Sequence, residues 1–274
     1  MTYRDILLCI DNRPSCQARI EVTLQLAARC GARVHALAPT GSLVLPGGFG
    51  MAPSGELLAA AQDYLVGQAR AAVARFEEAA RAHDGLPCDA QVVEGAPNAA
   101  VRRHALMVDL IVVGQRESGD DASFPDPGQI VMQSPRPVLV IPYIGVPPAF
   151  PGHAIVAWNA SREASRAVSD ALPLLHLAER ATILVLESGK AAKGDLAGND
   201  VASYLAHHGV AAKVEIDRSA MPAVGENLLS RIAELGGDTL IMGAYGHSRA
   251  LEWAFGRVTR TVLSSMPVPT LLAH

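Results

Sequence analysis

Asp238-Thr239-Leu240-Ile241-Met242-Gly243-Ala244-Tyr245-Gly246-His247-Ser248-Arg249-Ala250-Leu251-Glu252-Trp253-Ala254-Phe255-Gly256-Arg257-Val258-Thr259 is the stretch from which the rest of the chain can be read. Thr239 to Met242 is a short apolar run that ends on a glycine, as a buried strand does when it delivers the chain to the edge of a sheet. The loop that follows is held between Gly243, Gly246 and Gly256. Glycines at a strand exit permit positive φ and let backbone N–H groups approach an anion, and a helix starting near Gly256 would add its positive dipole end. Tight turning and close packing would also account for the three glycines, so both readings stand at this point.

Moving outward, the same succession occurs twice. Ile6 to Ile10 ends at Asp11-Asn12, and Ile155 to Trp158 ends at Asn159-Ala160-Ser161. The second of these leads into a helix whose apolar face is Ala164, Ala167, Val168, Ala171, Leu172 and Leu175, with Ser161 placed to cap it and Pro173 placed to bend or end it. Second strands follow at Val34–Ala38 and Thr182–Leu186. The first copy then carries a Gly- and Pro-rich insertion, Pro39 to Ser54, before a long helix from about Gly55 to His83; the second has a shorter loop and a helix near Asp195 to His208. Third strands are expected at Asp89–Glu94 and Ala212–Asp217, each leading through a proline (Pro97, Pro222) into a helix. Fourth strands fall at Asp109–Gly114 and Asp238–Gly243, and fifth strands at Val138–Ile141 and Thr270–Ala273.

Strands alternating with helices imply parallel sheets covered on both faces. The sequence thus predicts an α/β chain of two doubly wound, mainly parallel five-stranded domains in tandem, residues 1–143 and 153–274. A linker at 144–152 joins them, where Pro147-Pro148 and Pro151-Gly152 continue neither element.

The loop is neither a P-loop, which needs Gly-Lys-Ser/Thr, nor a dinucleotide fingerprint, whose glycines are closer together. Its spacing is G-x2-G-x9-G after a fourth strand, followed by a helix, Met266-Pro267-Val268-Pro269 and a last strand. In this the chain resembles the universal stress protein family, whose nucleotide-binding members carry that spacing followed by Ser or Thr. The resemblance spans both copies and departs at Arg257. It implies an adenine nucleotide alpha hydrolase-like fold and pairing of the two halves through their fifth strands as an intramolecular pseudo-dimer, with further homodimerisation open. It also implies ATP with magnesium as ligand of the second half. The candidate contacts are Ala157, Asn159 (where the family has an aspartate), Val185, Met242, Gly243, Gly246, Gly256, Arg257, Val258 and Thr259. Arg257 either blocks the phosphates by bulk or pairs with them.

In the first copy the loop after strand four is Gly114-Gln115-Arg116-Glu117-Ser118-Gly119-Asp120-Asp121. It lacks the second glycine, and its carboxylates would repel a triphosphate, so it reads as a degenerate site kept for packing.

Composition bounds the function. A net charge of −4 with lysine confined to Lys190, Lys193 and Lys213 argues against nucleic acid. No apolar run reaches the roughly 20 residues of a membrane span, and the opening residues look unlike a leader, so a soluble cytoplasmic protein is expected. Cys9, Cys16, Cys30 and Cys88 have no metal-ligand spacing, and Cys9 reads as a buried, inert thiol. No nucleophile–base pair can be assigned, Gly246-His247-Ser248-Arg249 included. Two functions remain open. One is a non-catalytic, nucleotide-responsive stress protein, with slow ATP hydrolysis at most. The other is a nucleotide-free structural or small hydrophobic-ligand-binding protein, in which the apolar Leu45 to Met51 loop covers a hydrophobic pocket in the first half.

Overall fold

Runs of Val, Ile and Leu too short for helices form the inner strands, almost unbroken by polar residues because both faces are covered, whereas the two outermost strands, Cys88–Val93 and Ala212–Asp217, alternate with polar residues. The computed structural model describes residues 2–41, 54–120, 124–186, 196–218, 223–246 and 252–274, the side chains of 196, 197 and 252–255 excepted. The Leu45–Met51 loop, Pro222 and His247-Ser248-Arg249 lie outside the described residues.

The first half runs β1 (Asp5–Cys9), α1 (Cys16–Cys30), β2 (Arg33–Pro39), α2 (Gly55–Ala80), β3 (Cys88–Val93), α3 (Pro97–His104), β4 (Leu110–Gly114), α4 (Pro127–Gln133) and β5 (Val138–Ile141). The second runs β6 (His153–Ala157), α5 (Arg162–Asp170), α6 (Leu172–Leu177), β7 (Arg180–Leu186), α7 (Leu196–His207), β8 (Ala212–Asp217), α8 (Val224–Leu235), β9 (Thr239–Gly243), α9 (Glu252–Ser265) and β10 (Thr270–Ala273). Ser161 caps α5, its hydroxyl oxygen accepting the Ala164 N–H at 3.1 Å. Pro173 sits in the first turn of α6, where its missing N–H has no helical partner to lose. One expectation is corrected: the helix after the glycine loop starts at Glu252, so Gly256 lies inside it. A single glycine costs a helix only about 1 kcal/mol, which packing of the other residues offsets.

All ten strands form one sheet in the order β3-β2-β1-β4-β5-β10-β9-β6-β7-β8. Within each half every pairing is parallel, and the order reverses beside the first strand of that half: between β1 and β4, and between β6 and β9. Only where the halves meet are the strands antiparallel, β5 on β10, with Leu139 opposite Leu271. Two cores cover the two faces. One packs α1, α2 and α5 to α7 against residues such as Leu8, Val112 and Ile183; the other packs α3, α4, α8 and α9 against Ile111, Ile155 and Leu240. This double winding leaves the carboxyl ends of β1 and β4, and of β6 and β9, open between helices that depart in opposite directions, the usual seat of a ligand in such sheets.

Candidate functional site

At the carboxyl ends of β6, β7 and β9 lies a cavity of about 600 Å³. Strand register builds its floor. Ala157 stands opposite Leu184 on one side and Met242 on the other, so three neighbouring strands present side chains in one row on one face. Leu186, two residues after Leu184, continues that face. Val185, the other expected contact on this strand, does not line the cavity with its side chain, which packs against the core on the opposite face. A strand alternates with period two, so Leu184 and Leu186 share one face and Val185 the other. Leu228 and Val258, from α8 and α9, supply further apolar wall.

The polar groups stand at the rim. Asn159 holds the turn after β6, its Oδ1 accepting the Ser161 N–H at 3.1 Å. Arg257 projects from α9, exposed, and borders the cavity together with Glu226. Of the expected contacts, Ala157, Asn159, Met242, Gly243, Gly246, Arg257, Val258 and Thr259 border the cavity, whereas Gly256 does not. Thr259 is buried, and its hydroxyl oxygen accepts the Tyr245 N–H at 3.4 Å, so this side chain braces the glycine loop.

The glycines differ in what they accommodate. A Cβ on Gly243 would collide with the backbone of Glu163 and Ala164, so this glycine seats the start of α5 against β9. A Cβ on Gly246 would stand 2.8 Å from Glu163 Oε2. Glu163 is buried, and Arg162 pairs with it at 3.1 Å. Burial pushes its carboxyl up, but hydrogen bonding to its own backbone N–H and to Arg162 outweighs this and leaves it below the usual range. An ionised carboxylate thus lies directly behind the loop, a feature that sequence reasoning missed. Tyr245, between the two glycines, holds a positive φ of 53° and extends its hydroxyl to Gly128 at the start of α4 in the first half. Burial first, then Asp126, raises the pKa of that hydroxyl.

The corresponding place in the first half, at the ends of β1 and β4, is filled by side chains. Arg13 donates to Asp120 at 2.6 and 2.9 Å and to Asp11 at 3.1 Å, and its guanidinium lies 4.2 Å over the Phe124 ring. Glu117 is 3.7 Å from Arg13 and accepts from the Ser15 hydroxyl at 2.6 Å. Arg19, buried, reaches Asp11 at 2.6 Å through space that only a glycine at 114 leaves open. Burial alone would raise Asp11, yet Arg19 and Arg13 hold it down at about 2. Burial pushes the Cys9 thiol up to about 12, leaving it protonated and inert. Beside this network is a second cavity, of about 250 Å³.

Among the described residues no cluster of three His, Cys, Asp or Glu side chains could hold a metal ion, and no helix is long and apolar enough to cross a membrane.

Comparison with known proteins matches residues 2–142 to the model of the universal stress protein family. That is the half whose glycine loop departs from the family spacing. No curated protein matches the chain. Among solved structures, a universal stress protein from Archaeoglobus fulgidus DSM 4304 superposes with a TM-score of 0.74 at 16% identity, covering 98% of this chain and 95% of that one. A functionally unknown protein from Pseudomonas aeruginosa PAO1 gives 0.59 at 14% identity, with 99% and 92% covered. At these identities the likeness is one of fold.

Proposed function

Since the chain belongs to the universal stress protein family, we propose that it is a non-catalytic, cytoplasmic stress-response protein whose second half takes up ATP with magnesium in the cavity at the ends of β6, β7 and β9. The observation that carries this reading is the cavity itself: it opens where the strand order reverses, its volume suits a nucleotide, and Gly243, Gly246 and Arg257 border one side of it. Ala157, Leu184, Leu186 and Met242 would receive the flat apolar base, and Asn159 would offer its amide to base or ribose. Arg257 would pair with the phosphates, opposing the Glu163 carboxylate behind Gly246. Magnesium would arrive on the phosphates, whose oxygens are the hard ligands it prefers.

Calorimetric titration of magnesium-ATP tests the reading. Wild type is expected to bind, Arg257→Ala to bind more weakly by about 1.5 to 3 kcal/mol, roughly ten- to a hundred-fold, and Gly246→Val not at all. Equal affinities in all three, or no heat with wild type, would refute it.

A second reading is favoured by the apolar lining and by Glu163 and Glu226: a nucleotide-free site for a small hydrophobic ligand, with Arg257 as a plug. Wild type would then ignore ATP, and Arg257→Ser would create binding by restoring the family pattern. We read residues 1–143 and 153–274 as two domains joined by 144–152. The β5–β10 contact is, in this reading, the homodimer interface of single-domain relatives brought into one chain.

A further inference from the structure

We propose that the first-half cavity is a second ligand site whose anion position is filled by the chain's own carboxylates, Asp120 and Glu117 on Arg13, and which therefore takes an uncharged, flat molecule in preference to a phosphorylated one. The inference rests on the first half alone and stands whether or not the second half binds ATP.

Arg13 lies where the loop after β4 meets the end of β1, the place a phosphate would occupy at a strand-order reversal. It is already satisfied. Asp120 takes one end of the guanidinium, Asp11 the other, and Phe124 covers a face. The side chain of Asp120 is only 6% exposed, so water does little to weaken this pair, in which both carboxylate oxygens accept from Arg13 Nη1. The neighbouring cations are engaged as well: Arg19 with Asp11, and Arg75 with the Asn12 Oδ1 at 2.5 Å and the Arg13 carbonyl at 3.0 Å. A phosphorylated ligand would have to displace Asp120 and then lie beside it.

The adjoining cavity suits a different guest. Its walls are flat and apolar, with the rings of Tyr64 and Phe124 and the prolines Pro39, Pro97 and Pro125. Its polar groups are largely paired with one another, the Asn12 amide donating to Gln68 at 2.6 Å and the Thr40 hydroxyl donating to the Gly41 carbonyl at 3.2 Å. About 250 Å³ admits one small molecule. Burial of a neutral ring is favourable there, and burial of a charge without a partner is not.

Adenosine and AMP, which differ by one phosphate, serve as probes on the full chain, with hydrogen exchange to locate the bound molecule and calorimetry to weigh it. Adenosine is expected to protect residues 64–69, with AMP at least about ten-fold weaker at that site. Glu117→Gln with Asp120→Asn should raise AMP affinity there by roughly ten-fold or more, and adding Arg13→Gln should cancel the gain. If circular dichroism shows the double variant unfolded, Glu117→Gln alone, at the rim, should give a smaller gain of the same sign. AMP bound at 64–69 as tightly as adenosine in the parent, no protection of 64–69 by adenosine, or no gain in the folded variants would overturn the proposal. Protection confined to the ends of β6 and β9 would also overturn it, while speaking for the ligand site of the second half.

Discussion

Asp11 is a carboxylate held between two guanidinium groups, and its pH dependence follows from that. Its folded pKa of about 2 lies below the 3.8 of an ordinary aspartate, so its contribution is present above about pH 4 and is lost as pH falls toward 2. A shift of this size corresponds to about 2 kcal/mol. Asp11→Asn is thus expected to lower the unfolding free energy by that order at pH 7, and the gap from wild type should close near pH 2; urea titrations at the two pH values check this. Gly243 makes a contrasting case. Gly243→Ala drives a methyl into the backbone at Glu163 and Ala164, and a loss of about 1 to 3 kcal/mol is expected in the same assay, ligand or no ligand. A glycine expected from its spacing to approach phosphate is thereby needed for packing first.

Single helices show how far local sequence can be read. Ser161 was legible as the cap of α5 because the signal is entirely local: a hydroxyl three residues before the N–H it serves. Ser161→Ala should cost about 1 kcal/mol in thermal or urea unfolding, and Ser161→Asp should retain most of it. The start of α9 was not legible. Gly256 has the look of a helix boundary, yet the element begins four residues earlier, since glycine weighs less than the sum of its neighbours. The short α4 escaped notice altogether, although Asp126 caps it by accepting the Gln129 N–H at 3.2 Å and Pro127 opens it. With only seven residues it offers too few turns for an apolar period to show. Which face of β7 looks into the cavity was likewise not legible, because the pairing of Ala157 with Leu184 decides it and no single strand contains that pairing.

Across the whole molecule the repeat was the strongest signal, because hydrophobic runs of strand length recur in the same succession over both halves. The filling of the first-half site was the weakest. Arg13 and Asp120 are 107 residues apart, and only the fold brings them together. The seam between the halves can be tested directly. Leu271 is buried between Leu139 on β5 and Ile241 on β9, so Leu271→Lys places an unpaired charge in a dry sheet centre. Wild type should unfold in one cooperative urea transition, while the variant should lose several kcal/mol or unfold in two steps, followed by far-ultraviolet circular dichroism. Unchanged unfolding would mean that the seam contributes nothing to stability. The seam also has a bearing on behaviour at low abundance. Two separate chains meeting edge to edge obey mass action and part on dilution, whereas β5 and β10 are tethered, so their encounter is first order and indifferent to how many copies a cell holds. Tethering removes the demand that both partners be identical, and one half is free to close its anion seat with its own carboxylates while the other keeps its cavity open.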